Sequence, residues 1–575
     1  MEIPSNSDAD NLFFESIVST YIKYPRFLRR DWLAAEIDPY LANPACRFVL
    51  LTAEPGFGKS VFMAQLAAKH PDWPRYFIRR DQREPLADVG ICSFLLRIGY
   101  QLLVRFPELF DSDAIRLSVE QRIGIVGDRG TVVGAEIEKL VASPFYTKVV
   151  EVKQQIASTT GSAVGLRIGE LVIEPHLLDP IDLQHMALID PARAMQRLHP
   201  GLQIVILIDA LDEIRYHDSE DNILKWLTNC PELPPNIHFV LSSRPPDDAL
   251  KVFCQQKASG LRTLVVTPQD SRVQLDVESY ARRLAIRPDV AAELVLLDIG
   301  NDIFVTQAVD KANGNIGYLD AIERAIDAVL TRFDSVDRTM VRALLELDQL
   351  PNELGALYGF FLRRIKNTVR RGKIALTDPK TGETYDKWVW PEVYTPILGV
   401  LAVALTPLSL DQIVALGRIN AGRTYAVEAM NWLAQFLNIK EGNYRLYHTT
   451  VREFLTATAT KEQFDDLWVD ATDWNRKIAA YYMYNVESYG MSTTSEIANG
   501  KKSDSYGLKY LAFHLTAAGD YVALSQLLMS DFVLHKLRMS ISGLAACRRK
   551  GMDRFWAIGR HDRIGDLPIL PQTIP

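Results

Sequence analysis

One stretch limits the fold of this chain more than any other: Ala53 to Ser60, read A-E-P-G-F-G-K-S. The residues before it, Cys46 to Thr52, lean apolar and read as a buried strand. Those after it, Val61 to Lys69, read as a helix. Strand, glycine-bearing turn, Gly-Lys-Ser and helix in that order make a phosphate-binding loop. Gly56 and Gly58 let backbone N–H groups curl around an anion with no Cβ in the way. The helix starting at Lys59 aims its positive end at the same anion. Lys59 is expected to reach the β- and γ-phosphates, and the Ser60 hydroxyl to ligate Mg²⁺. Ala53 stands where the usual pattern has its first glycine, a place Ala can take if its φ is negative. The expected contact set is Glu54, Pro55, Gly56, Phe57, Gly58, Lys59, Ser60 and Val61, holding ATP or ADP. The bland alternative is a glycine-rich turn with no ligand.

A chain of 575 residues exceeds what one hydrophobic core serves, so several domains are expected. The formal net charge of −7 gives no overall electrostatic footprint for nucleic acid. The five cysteines, Cys46, Cys92, Cys230, Cys254 and Cys547, are scattered and lack metal-ligand spacing, which reads as reduced thiols in a cytoplasmic protein. The start carries no signal-peptide pattern. The longest apolar run, Ile397 to Leu405, is too short to span a bilayer and reads as a core helix, so no membrane partner is expected.

Along the chain, residues 1–45 read as a polar tail and one or two helices. The basic cluster Arg26, Arg29, Arg30 has two readings, a solvated helix face or a lid over the base or ribose of a nucleotide. Residues 46–270 alternate strand and helix, predicting an α/β core with a parallel sheet covered on both faces. Strands are expected at 48–51, 76–78, 204–208, 237–241 and 264–266, and helices at 59–69, 91–105, 191–199, 219–229 and 246–255. Between about 112 and 180 the alternation breaks into a Gly-, Val- and Ile-rich stretch, read as an insertion with short β-segments. Residues 271–345 read as a small helical domain with a turn at Asn313-Gly314-Asn315. Residues 346–456 read as a linker helix and a compact domain with a capping box at Ser409 and Gln412 and a β-pair around Glu441-Gly442-Asn443. Residues 457–575 read as helical, with no self-similar period of 20–50 residues along the chain.

Two further motifs fall inside the core. The strand Ile204–Ile208 runs into Asp209-Ala-Leu-Asp212-Glu213, placing carboxylates at a strand's carboxyl end, where open α/β sheets bind ligands. Asp209 would hold the Mg²⁺ shell, through water, and Asp212 or Glu213 would polarise an attacking water. The next strand ends in Ser242-Ser243-Arg244-Pro245, polar groups able to sense a γ-phosphate.

Taken together, Ala53–Ser60, Ile204–Glu213 and the S-S-R-P sequence resemble the Walker A, Walker B and sensor elements of a NACHT-type member of the STAND group of P-loop NTPases. These are similar to the regulatory ATPases of animal inflammasomes, plant resistance proteins and bacterial anti-phage sensors. The resemblance implies a signalling switch with an ADP-bound closed rest state and an ATP-bound active state. It implies slow hydrolysis, self-association with ATP, and an effector or sensor on another chain. Leu350-Pro-Asn-Glu-Leu-Gly-Ala-Leu-Tyr358 is similar to the element leading into the family's winged helix, placing that domain at residues 390–456. Tyr447-His448-Thr-Thr-Val-Arg-Glu-Phe-Leu455 is similar to the segment whose histidine binds the β-phosphate of ADP, which implies that role for His448. Thr449 replaces the Asp of many relatives. Two other classes stay open. One is a nucleic-acid regulator using the winged helix, disfavoured by its few basic residues; the other is a scaffold with a degenerate nucleotide site.

Overall fold

The computed structural model describes residues 12–78, 90–111, 116–126, 131–141, 145, 149–159, 162–172, 179–216, 222–230, 233–332, 338–369, 372–377, 384–484 and 505–529. Cys547 and the last residues lie outside them. The chain forms two compact units. One comprises Met1–Arg371, Leu405–Pro407 and Val427–Phe454; the other comprises Gly372–Ala404, Leu408–Ala426 and Leu455–Pro575.

The first unit is built on five strands: β1 (Phe48–Thr52), β2 (Arg75–Phe77), β7 (Ile204–Asp209), β8 (Ile237–Ser243) and β9 (Leu261–Val265), with β3–β6 lying between β2 and β7 in sequence. Their order in the sheet is β2-β7-β8-β1-β9, and all pairs are parallel. Every residue of β1, β7 and β8 is buried. That burial explains why these strands read as unbroken apolar runs rather than alternating ones. The helices around the sheet are α1 (Glu15–Ile22), α2 (Asp31–Leu41), α3 (Lys59–Lys69), α4 (Ile91–Arg105), α5 (Asp190–Leu198), α6 (Ile223–Asn229) and α7 (Asp248–Gln256). The expected α/β core is present, with strand ends within a few residues of those read from sequence.

The order matters for function. β8 lies between β1 and β7, so its carboxyl end, Ser242 and Ser243, sits between the glycine loop after β1 and the acidic end of β7. Further helices follow the core: α8 (Ser271–Ala285), α9 (Pro288–Leu296), α10 (Asn301–Ala312) and α11 (Ile316–Arg332), then a short helix at Arg338–Leu345. Asn313 and Gly314, both at positive φ, turn the chain between α10 and α11. Next come α12 (Leu354–Val369) and the antiparallel pair β10 (Leu437–Lys440) and β11 (Asn443–Leu446). Glu441 and Gly442 both have positive φ, so the hairpin turn is the two-residue type-I′ form, one residue tighter than the sequence suggested. The helix α13 (Thr449–Thr456) follows.

The insertion departs from expectation. Its β-segments are not short: β3 (Arg116–Val126), β4 (Thr131–Val141), β5 (Val149–Thr159) and β6 (Ser162–Val172) have 11 residues each. They form two two-stranded parallel sheets, β3 with β5 and β4 with β6. Two successive arches, β3 with β4 and β5 with β6, therefore stack. This is a two-fold internal repeat that the sequence reading did not find.

In the second unit, Thr395–Val403 is a buried helix, as expected of the longest apolar run. The capping box is complete at the start of helix Leu410–Leu416: Gln412 N donates to Ser409 Oγ at 3.3 Å and Ser409 N to Gln412 Oε1 at 2.9 Å. Helices Ala471–Tyr484, Ser505–Ala517 and Tyr521–Met529 follow. Among the described residues no helix is long and apolar enough to cross a membrane. Among the described residues Cys46, Cys92, Cys230 and Cys254 form no disulfide.

Candidate functional site

The glycine loop has the backbone its sequence demands. Gly56 and Gly58 sit at φ +88° and +79°, while Ala53 is not among the positive-φ residues, so its methyl is tolerated at the strand exit. Lys59 opens α3 and folds back over the loop, donating from Nζ to the Ala53 carbonyl at 2.5 Å and to the Glu54 carbonyl at 3.1 Å. Burial pushes its pKa down to about 8, opposed by the nearby Asp212 and assisted by Arg244. A cation held out of water beside backbone carbonyls lacks a full countercharge, which a phosphate would supply.

The acidic end of β7 is rigidly braced. Asp209 and Glu213 are 4% and 6% exposed. Ser242 donates from Oγ to Asp209 Oδ1 at 2.5 Å and accepts the Ala210 N–H at 2.9 Å. Ala210 adopts φ +62°, a left-handed conformation costing about 1 kcal/mol or more for a residue with a Cβ. Strain at this position turns the chain sharply, so that Asp212 and Glu213 follow in a 3₁₀ turn beside the end of β8.

Arg244 is the hub. Its backbone N–H donates to Asp212 Oδ1 at 3.1 Å, and its Nε pairs with Asp212 Oδ2 at 2.9 Å. Its Nη2 lies 3.8 Å from Glu213 Oε1. The same guanidinium makes a two-pronged pair with Glu453 of α13, at 2.9 and 2.7 Å. Burial disfavours the charge on Arg244, but the bonds to Glu453, then Asp212 and Glu213, outweigh it and raise its pKa. The sequence marked Arg244 and the two acids but not Glu453, which no local pattern distinguishes.

His448 precedes α13. Its Nδ1 accepts the Thr450 N–H at 3.2 Å and lies 2.7 Å from Thr450 Oγ1. In the neutral ring the proton therefore sits on Nε2, which leaves that nitrogen as a donor. Tyr358 at the end of the L-P-N-E-L-G-A-L-Y stretch bonds both Thr450 Oγ1 and the Tyr447 hydroxyl at 2.9 Å. Surrounding protein pushes the His448 pKa down; Asp320 and Glu453 oppose this, and Arg244 and Arg324 add to it. Arg244 thus acts electrostatically on both Lys59 and His448.

The loop also carries contacts that sequence gave no hint of. The Gly317 N–H donates to the Gly56 carbonyl at 2.9 Å, and Asn315 Nδ2 donates to the Pro55 carbonyl at 3.1 Å. A Cβ on Gly56 would lie 2.1 Å from Asn315 Oδ1. The start of α11 is therefore seated on the loop. As a whole the basic cluster is not a solvated face. Arg30 is buried, pairs with Asp276 at 2.8 Å and holds the Phe57 carbonyl; Arg26 pairs with Asp320, Glu323 and Asp327 of α11. Only Arg29 fits the solvated reading, with a side chain 70% exposed. Carboxylates on α8 and α11, invisible to a local reading, pair with the other two.

A cavity of about 350 Å³ opens beside Asp212 and Ser243, between α6 and α7. The glycine loop does not line it. As for Mg²⁺, no group of three or more His, Cys, Asp or Glu side chains that could hold a metal exists among the described residues.

Comparison with known proteins adds little beyond the fold. No protein-family model matches the chain, and no curated protein matches it. Among solved structures, the Walker-type ATPase PABY2304 of Pyrococcus abyssi is 13% identical over 74% of this chain and 95% of its own, with a TM-score of 0.31. Cdc6p from Pyrobaculum aerophilum is 12% identical over 83% and 98%, at 0.28. A RuvB mutant of Thermotoga maritima is 12% identical over 76% and 95%, at 0.22. The chain has an α/β P-loop core.

Proposed function

We propose that the chain is an ATP/ADP-binding switch of the STAND class, with an ADP-bound rest state, an ATP-bound active state and slow ATP hydrolysis. The observation that carries this reading is Arg244, which joins the acids at the end of β7 to Glu453 on the helix that follows His448. A plain metabolic ATPase needs no such tie to a segment some 200 residues downstream in sequence.

In this reading the N–H groups of Glu54, Gly56, Phe57 and Gly58 and the side chain of Lys59 hold the phosphates, with Pro55 shaping the loop and Val61 behind them in the first turn of α3. Bound Mg²⁺ would neutralise phosphate charge beside Ser60 and Asp209. Both oxygens of Asp212 already engage Arg244, which favours Glu213 as the group that orients water. The Nε2–H of His448 donates to the β-phosphate of ADP, and Tyr358 and Thr450 fix its orientation. Residues 390–456 form the winged helix, the ATP state self-associates, and an effector or sensor on another chain receives the signal.

The test is the nucleotide that accompanies the purified protein, released by denaturation and quantified by chromatography. Near-stoichiometric ADP supports the switch. An absence of nucleotide, together with weak ATP binding on titration, refutes it.

A further inference from the structure

The insertion β3–β6 supplies none of the residues named in the candidate nucleotide site, yet its geometry is specific. β3 and β4 form one arch and β5 and β6 a second, stacked on the first so that each sheet takes one strand from each arch. Among the described residues each strand is bonded along one side only. Each arch therefore offers two free edges of 11 residues, about 36 Å long. Edges of that length carry rows of backbone N–H and C=O groups ready to pair. Native proteins usually break such edges with charges that repel a neighbour; here the charges fall differently.

The register pairs several residues of like type and joins charged residues to each other only where their signs are opposite, although Arg116 with Val149, Ser118 with Glu151, Arg122 with Gln155 and Ile125 with Ser158 are unlike. Val119 is registered with Val152, Gln121 with Gln154 and Ile123 with Ile156. Val133 is registered with Val164, Ile137 with Ile168 and Leu140 with Leu171. Three register pairs join two charged residues, and each is of opposite sign: Glu120 with Lys153, Glu136 with Arg167, Lys139 with Glu170. A second copy stacked with its first arch on this copy's second arch repeats every one of these pairs. Arbitrary strands offer no such match of charge and side-chain type.

We propose that the free arch edges bind a second copy of this chain, the second arch of one copy against the first arch of the next, in parallel and in the register seen within each copy. The contact is head-to-tail, so it can extend beyond two copies. It stands on strand register alone and does not depend on the nucleotide reading.

The test uses the full chain without added nucleotide. Val119→Cys and Val152→Cys variants are prepared separately, each checked for a wild-type melting temperature, then oxidised alone and mixed. Wild-type chains set the background from the native cysteines. A disulfide-linked dimer is expected from the mixture only. Position 119 of one copy lies about 9.5 Å, two strand spacings, from position 119 of the next, too far for a disulfide. A variant linking to itself as well as the mixture does, or a mixture that does not link, overturns the proposal.

A charge-exchanged chain supplies the control: Glu120→Lys with Lys153→Glu, Glu136→Arg with Arg167→Glu, and Lys139→Glu with Glu170→Lys. It keeps every opposite pair within its own kind and sets three like pairs against wild type. Its own-kind linking should persist, while linking to wild type falls about tenfold. Equal linking in both cases refutes the register.

Discussion

Replacing Glu453 with Ala tests the proposed coupling at its narrowest point. The Arg244–Glu453 pair makes two charge-assisted bonds, at 2.9 and 2.7 Å, between side chains 17% and 26% exposed. Bonds of this kind contribute about 1.5–3 kcal/mol each in mutational series. Partial exposure reduces that, and Arg244 keeps Asp212 when Glu453 is lost, so no unpaired charge is stranded. The net loss is about 1–3 kcal/mol. If the pair holds the His448 segment in the rest state, the same energy appears in ADP retention, as roughly 5–150-fold faster release. Stopped-flow displacement of a fluorescent ADP analogue reads it directly. Glu453→Gln, which keeps one acceptor, should fall between. In the double variant with His448→Ala the two effects should not add, since both residues act through one segment. A release rate within twofold of wild type, alongside a lowered melting temperature, would mean that the pair only braces the fold.

Three further outcomes are expected. Lys59→Ala should abolish nucleotide binding; in the wild type, calorimetry in buffers of different ionisation enthalpy should show proton uptake on binding near pH 9 and none at pH 7. The sign follows from the depressed pKa of about 8 against 10.5 for an unperturbed lysine. Between those values the unfolded chain holds more protons, so the Lys59 contribution to stability rises with pH across that window, and its burial cost is present in full below about 8. Glu213→Gln should leave ATP affinity within about threefold while slowing hydrolysis at least tenfold; if only Asp212→Asn does so, the other acid orients water. Gly56→Ala should cost at least about 1–3 kcal/mol of stability, read as a lower melting temperature, because its Cβ meets Asn315 at a φ of +88°. A wild-type melting temperature would show that the start of α11 leaves the loop.

The parts legible in the sequence were those set by local chemistry. β1, β7 and β8 are buried on both faces, so their apolar runs announced them; Ser409 and Gln412 form the capping box that their spacing implied. What stayed hidden depends on residues far apart in the chain. Glu453 is 209 positions from Arg244, and Asn315 is 260 from Pro55. Arg26 and Arg30 read as part of a solvated face or a nucleotide lid because their carboxylates lie on α8 and α11. The stacked arches were missed although a faint signal exists: Val133-Gly-Ala-Glu-Ile137 and Val164-Gly-Leu-Arg-Ile168 share V-G-x-x-I in register. Glycines within strands suppressed the reading of long β-segments, since glycine ordinarily weakens them.

The arrangement of Arg244 constrains how any γ-phosphate could act on this molecule. The guanidinium is already shared among Asp212, Glu213 and Glu453. Turning it toward a phosphate beside Lys59 means giving up part of that set. The Glu213 contact, at 3.8 Å, is weak, and Asp212 is bonded to the backbone N–H of Arg244 as well as to its side chain, so of the two close partners Glu453 is the one the guanidinium can leave without disturbing its own backbone. Phosphate and Glu453 then compete for one cation, and the competition is reciprocal. Whatever strengthens the grip of α13 on Arg244 weakens a triphosphate by the same factor, and a triphosphate loosens α13 equally. On the proposed reading, a trigger need not touch the nucleotide at all; a pull on the segment from His448 to Glu453 would suffice to change which nucleotide the loop prefers.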